Sequence, residues 1–189
     1  MMINLHGGVK MHILRKVIGL IGILLFSLSS YTYAQMVQIS DTGAYQLFTM
    51  MNQANQIADI DCPVTNFHHI GILSENSPYD IYISVTGPYG HGAVISFYSN
   101  KAGFVSKVTT MCALNDKEAL TMSAKSMMLV LLGLGLSSSE AKVLLAQERL
   151  VNQRHSDVWA AKINRRIVLD LIPYPATNVL VSRFTAYDS

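Results

Sequence analysis

Four histidines, His68, His69, His91 and His155, follow residue 34, and they are the first side chains that could do chemistry. A metal needs three or four ligands brought to one side of an element. His68 and His69 are adjacent, so in a strand they point to opposite faces and cannot chelate one ion together. One of them would have to meet His91 across a sheet, with Asp80 or Glu75 joining, and neither HxH nor HExxH spacing supports this. The expectation is no metal and no cofactor.

Nucleophilic catalysis has no better footing. No serine stands in GxSxG, and "SAKS" places Ser123 and Ser126 beside Lys125 without the SxxK spacing. A hydrolase would use His91 or His69 as base, and would need a concave pocket bringing one of them within about 3 Å of a hydroxyl or carboxylate. The stretch "GPYGHG" at 87–92 could cradle a phosphate only if it led from a strand into a helix with a lysine. It leads instead into another alternating segment, so it reads as a hairpin turn whose glycines supply positive φ, with Tyr89 and His91 at an exposed tip.

Two further groups stand out. Cys62 and Cys112 are the only cysteines, and an even pair in an exported chain reads as one disulfide. Closing a loop of about 50 residues would stabilise the fold by roughly 4 kcal/mol. Arg165 falls on the apolar parity of a strand, where it needs a partner or an anionic ligand unless a bulge or hairpin at "INRR" turns it outward. Tyr82 and Tyr98 fall on the polar parity of their strands, beside Tyr79 and Tyr89, and tyrosine on an exposed sheet face suits an interface.

The elements that must position these residues are legible in period. From Asp41 to Asp61, Ala44, Leu47, Phe48, Met51, Ala54 and Ala58 recur at helical spacing, with Asp41 or Thr42 as cap and Pro63 beyond the end. Residues 67–111 then alternate: "FHHIGILS", "DIYISVT", "GAVISFYS" and "GFVSKVTTM" read as short antiparallel strands, with Ile81, Ile83 and Val85 inward on the second. "NDKE" at 115–118 and "SSSE" at 137–140 have capping-box spacing and open two helices. The first carries "MMLVLLGLGL", apolar nearly all round, and suits a central core position. Residues 159–171 alternate as one long strand, and "VLVSRFTA" makes a last one. The expected fold is α+β, an antiparallel sheet of about five to six strands packed by an N-terminal helix and a central helix pair.

The first 34 residues differ in kind. Lys10, Arg15 and Lys16 precede the apolar run Val17 to Phe26, too short to span a bilayer, and small Thr32 and Ala34 precede Gln35. This predicts a cleaved signal peptide over 1–34, with Met11 a possible true start, and a single domain over 35–189. Removing three of the 14 cations leaves 11 against 12 acids, so the formal charge of +2 becomes −1. A near-neutral chain without a Lys/Arg stripe has no footprint for nucleic acid or an anionic membrane.

These readings converge on a periplasmic or secreted binding protein that uses Tyr82, Tyr89, His91, Tyr98 and Arg165 to contact another exported or envelope protein, as an inhibitor, immunity-type or assembly factor would. The alternatives are the small hydrolase and a carrier of an apolar small molecule, which needs a cavity beneath the Met-rich helix.

Overall fold

The computed structural model describes residues 37–72, 77–88, 90–151 and 155–187, with the side chains of 147–151 and 155 excepted. Helix α1 spans Ala44–Ala58, and it is followed by strands β1 (Val64–Ile72), β2 (Asp80–Thr86), β3 (Ala93–Ser99) and β4 (Val105–Ala113). Helices α2 (Lys117–Gly133) and α3 (Ser138–Val151) come next, then β5 (His155–Ala160), β6 (Arg165–Tyr174) and β7 (Val179–Tyr187). The strands form one antiparallel sheet in the order β1-β2-β3-β4-β7-β6-β5. The fold is therefore α+β, with seven strands rather than five or six.

The extra strand comes from residues 159–171, which make a hairpin rather than one strand. Asn164 takes a left-handed φ of 52°, and the Ile163 amide donates to the Ala160 carbonyl at 3.2 Å. Asparagine tolerates that conformation, so the chain reverses while the apolar alternation runs on through the turn.

Local chemistry explains the helix ends. Asp116, one residue later than the capping-box spacing implied, accepts from the amides of Glu118 and Ala119. Asn115 instead bonds Asn178. The α2 C-terminus closes with Gly135 at φ 92°: Leu136 N–H reaches Leu131 O at 3.1 Å and Gly135 N–H reaches Leu132 O at 2.9 Å, the paired bonds of a Schellman motif. At α3, Ser137 and Glu140 exchange bonds as a full capping box, with Ser137 N–H to Glu140 Oε2 at 2.7 Å and Glu140 N–H to Ser137 Oγ at 3.2 Å.

Register assigns the faces. Phe97, Val108, Phe184 and Leu169 are successive cross-strand partners, fully buried, and they join one core with Leu47 and Met51 of α1, Leu129 to Leu131 of α2 and Leu144 of α3. Each such side chain contributes roughly 1.5–3 kcal/mol of apolar burial. The other face carries Ser96, Thr109, Arg183 and Asp170 in a cross-strand row, with Tyr98 paired to Lys107 beside it. β2 has the inverse of the expected phase. Tyr82 pairs with Phe97 and so faces the helices, while Ile81 pairs with Tyr98 and faces away.

The disulfide expectation is corrected: Cys62 and Cys112 are both free, buried thiols. Cys62 Sγ lies 2.9 Å from Thr86 Oγ1 at the end of β2, whereas Cys112 sits on β4. Ala93 of β3 pairs with Thr86 and packs against Cys112, filling the space between them. Thr86, which Cys62 contacts, is itself two strand spacings, about 10 Å, from Cys112.

Candidate functional site

Helix α2 is too apolar for one neighbour to cover. On one side Gly133 lets it approach α1, where an added Cβ would meet Met51 Cγ at 2.8 Å. The side carrying Thr121, Ala124, Lys125 and Met128, at helical three- and four-residue spacings, borders a groove of about 710 Å³ instead. Met127 also lines it, α3 supplies Lys142, Leu145 and Ala146, and Leu171 of β6 contributes from the sheet. The walls are mainly aliphatic and thioether groups, and methionine adapts its shape to what it contacts. Two ammonium groups interrupt them. Lys125 Nζ donates to the Asp61 carbonyl at 3.0 Å, and among the described residues neither Lys125 nor Lys142 is ion-paired to a carboxylate.

The hairpin lies elsewhere. Residues 87–92 join β2 to β3, and Gly92 is required there because a Cβ would sit 2.0 Å from the Thr86 carbonyl oxygen. His91 Nδ1 lies 2.5 Å from Asp116 Oδ2, so the tip is fastened to the N-cap of α2 while its imidazole stays 54% exposed. The hydrogen bond to Asp116 raises the His91 pKa, and the Ala119 amide, ahead of His91, lowers that of Asp116. Tyr89 lies outside the described residues, as do the 1–34 signal segment and Glu75.

A second imidazole–carboxylate contact joins the edge of the sheet. His69 Nε2 lies 2.6 Å from Asp80 Oδ1, and its ring stacks on Tyr82 with centroids 4.7 Å apart. Tyr82 also stacks on Phe67 at 5.4 Å and donates to Asp80 Oδ2 at 3.2 Å. Burial, then the Asp80 charge, raises its phenol pKa. His69 and Asp80 thus come together as the metal reading required, while His91 is engaged with Asp116 instead. Among the described residues no three His, Cys, Asp or Glu side chains cluster to hold an ion. Both histidines have the carboxylate that a general base would use, yet neither lines the groove, and among the described residues no serine hydroxyl or cysteine thiol is bonded to either ring.

Tyr98 is separated from Tyr82 by the whole thickness of the sheet, so the two do not share a surface. Its ring lies beneath Lys107, whose Nζ is 3.9 Å from the ring centroid. Burial, then the nearby Arg183 charge, pushes the Lys107 pKa down to about 8. Arg165 has an inward stem, its side chain 13% exposed, and Nη2 reaches Asp41 Oδ1 at 2.7 Å. The hydrogen bond from Arg165, then that from Gln38, lowers the Asp41 pKa. The charged residues that sequence reading passed over, Lys107, Asp170 and Arg183, had one signal: each falls on the parity of apolar strand neighbours, such as Met111, Val168 and Val181.

Among the described residues no helix is long and apolar enough to cross a membrane. No family model matches the chain, no curated protein matches it, and no solved structure matches it.

Proposed function

We propose that the protein is an exported binder of an amphipathic small molecule, whose apolar chain lies between α2 and α3 and whose acidic end meets Lys125 and Lys142. The observation that carries this reading is the groove itself, an apolar space of about 710 Å³ opening beside the helix most able to bury itself. Its size suits a small-molecule site, typically about 300–1,000 Å³ with a few placed polar groups among apolar walls. An ammonium on each wall complements a carboxylate or phosphate head but not a neutral sterol or sugar.

The test is native mass spectrometry on protein purified from its own cells, with displacement of a fluorescent eleven-carbon fatty acid as the titration. A retained small acid, and displacement lost in Ala124→Phe with the fold intact, supports the reading. A stoichiometric protein partner in place of a small molecule, or displacement unchanged by Ala124→Phe, would overturn it. Outcomes of that kind would favour contacts around the 87–92 hairpin instead.

A further inference from the structure

We infer that the sheet face opposite the helices holds a second site, for an oxyanion of the phosphate or sulfate type, built around Lys107 by the hydroxyls of Ser96, Thr109 and Thr185. Lys107 and Thr109 are two residues apart on β4, so both side chains leave the same face. Thr109 pairs with Ser96 on β3 and with Arg183 on β7. The Val108–Phe184 pair points to the helices, and the antiparallel register makes Lys107 and Thr185 the next rung, facing each other on the opposite face. Lys107 therefore has an orphan hydroxyl two positions along its own strand, another opposite it on the neighbouring strand β7, and a third on β3 opposite Thr109.

These groups are buried without their chemistry being satisfied. Lys107 is 3% exposed, and Ser96, Thr109 and Thr185 are no more than 4% exposed. The three hydroxyl oxygens have no hydrogen-bond partner. Buried polar groups are normally paired, so three orphans around one cation point to a missing partner. The charge balance gives its sign. Of the cations on this face, Arg183 is bonded to Asp170 Oδ2 at 2.9 Å and Arg166 lies 3.8 Å from Asp157 Oδ2. Among the described residues Lys107 has no carboxylate, only the faces of Tyr98 at 3.9 Å and Tyr79 at 5.4 Å. One ammonium and three O–H donors are complementary to a ligand that only accepts hydrogen bonds and is negatively charged. A cation would meet Lys107 head-on. This site is on the other side of the sheet from the groove and does not depend on it.

The experiment titrates the purified protein with sodium phosphate, sodium sulfate and phenyl phosphate, by calorimetry and by thermal unfolding against sodium chloride of equal ionic strength. The expected result is saturable heat and a concentration-dependent rise in melting temperature beyond the chloride control. Lys107→Gln is expected to weaken binding at least tenfold. Thr109→Val, which breaks no existing bond and keeps the side-chain shape, is expected to weaken it several-fold and keeps the test open should Lys107→Gln fail to fold. Tighter binding of phenyl phosphate would identify an esterified phosphate as the source, and tighter binding of the inorganic ions a free one. No saturable response beyond chloride, or full binding by Thr109→Val, would overturn the site.

Discussion

The His91–Asp116 contact links the β2–β3 turn to a helix start through two titrating groups, and the direction of each shift sets its pH window. The His91 pKa is raised above its ordinary 6.5 by Asp116, with a smaller contribution from Glu118. Its stabilising contribution is therefore complete below that ordinary value and is lost as pH rises through the raised one. The Asp116 pKa is lowered, so its contribution is present above the ordinary carboxylate range and is lost as pH falls through the lowered value. The turn is expected to be held best in mildly acidic solution. A proton NMR titration should place the His91 midpoint above 6.5, and Asp116→Asn should return it there. Arg165 is a different case, because its carboxylate partner is 66% exposed and such pairs contribute about 0–1 kcal/mol. Its Nη1 is buried without a partner, so Arg165→Met removes an unsatisfied donor along with the pair. Urea unfolding should show a loss of no more than about 1 kcal/mol, and a loss of several would mean the guanidinium is far better satisfied than its contacts indicate. The thiols give a third prediction. Burial raises the pKa of both Cys62 and Cys112, so native alkylation should be slow, and denaturation should expose two reactive groups. A chain two hydrogens light in an intact-mass measurement would contradict the free-thiol structure.

At the scale of elements, the crossing of α1 and α2 depends on a missing side chain. Gly133→Ala ought to gain helix propensity, roughly 1 kcal/mol, yet the new methyl would press on Met51 and Leu47. Overpacking of this kind costs about 1–3 kcal/mol, so thermal unfolding should show net destabilisation, relieved when Met51→Ala makes room. The elements are also where sequence reading succeeds and fails for visible reasons. The helix stripe Ala44, Leu47 and Met51 was legible because one face is buried. "SSSEAK" was legible because capping is local chemistry, and the cap of α2 was misplaced by one residue because Asn115 and Asp116 are both good caps. Alternation reveals a strand but not which side it presents when both sides are covered, and here Ile81 and Ser84 are each buried on opposite faces of β2. That ambiguity put Tyr82 and Tyr98 on one surface and hid Arg183 and Asp170. The groove was foreshadowed only as a requirement, by the methionines of α2, since a space between helices depends on contacts no single segment encodes.

For the molecule as a whole, the most telling pairing is the central one. β4 and β7 lie side by side, yet α2, α3 and the β5–β6 hairpin all intervene in the chain. About 70 residues must be looped out before that ladder forms, and closure on this scale favours folding in milliseconds to seconds. Stopped-flow refolding should show its main phase there, and full recovery within a microsecond burst would refute this account. The sheet's outer boundary has its own consequence. β1 is an edge strand with Ile70 and Ile72 turned to solvent, a composition that invites another chain to add itself. Its ladder is broken between Thr65 and His68 and again between His69 and Gly71, with Asn66 and Gly71 at positive φ. A kinked margin offers no straight run of amides to copy. The irregularity of β1 thus works against fibril growth, because the strand that exposes Ile70 and Ile72 is bent where a second chain would have to align.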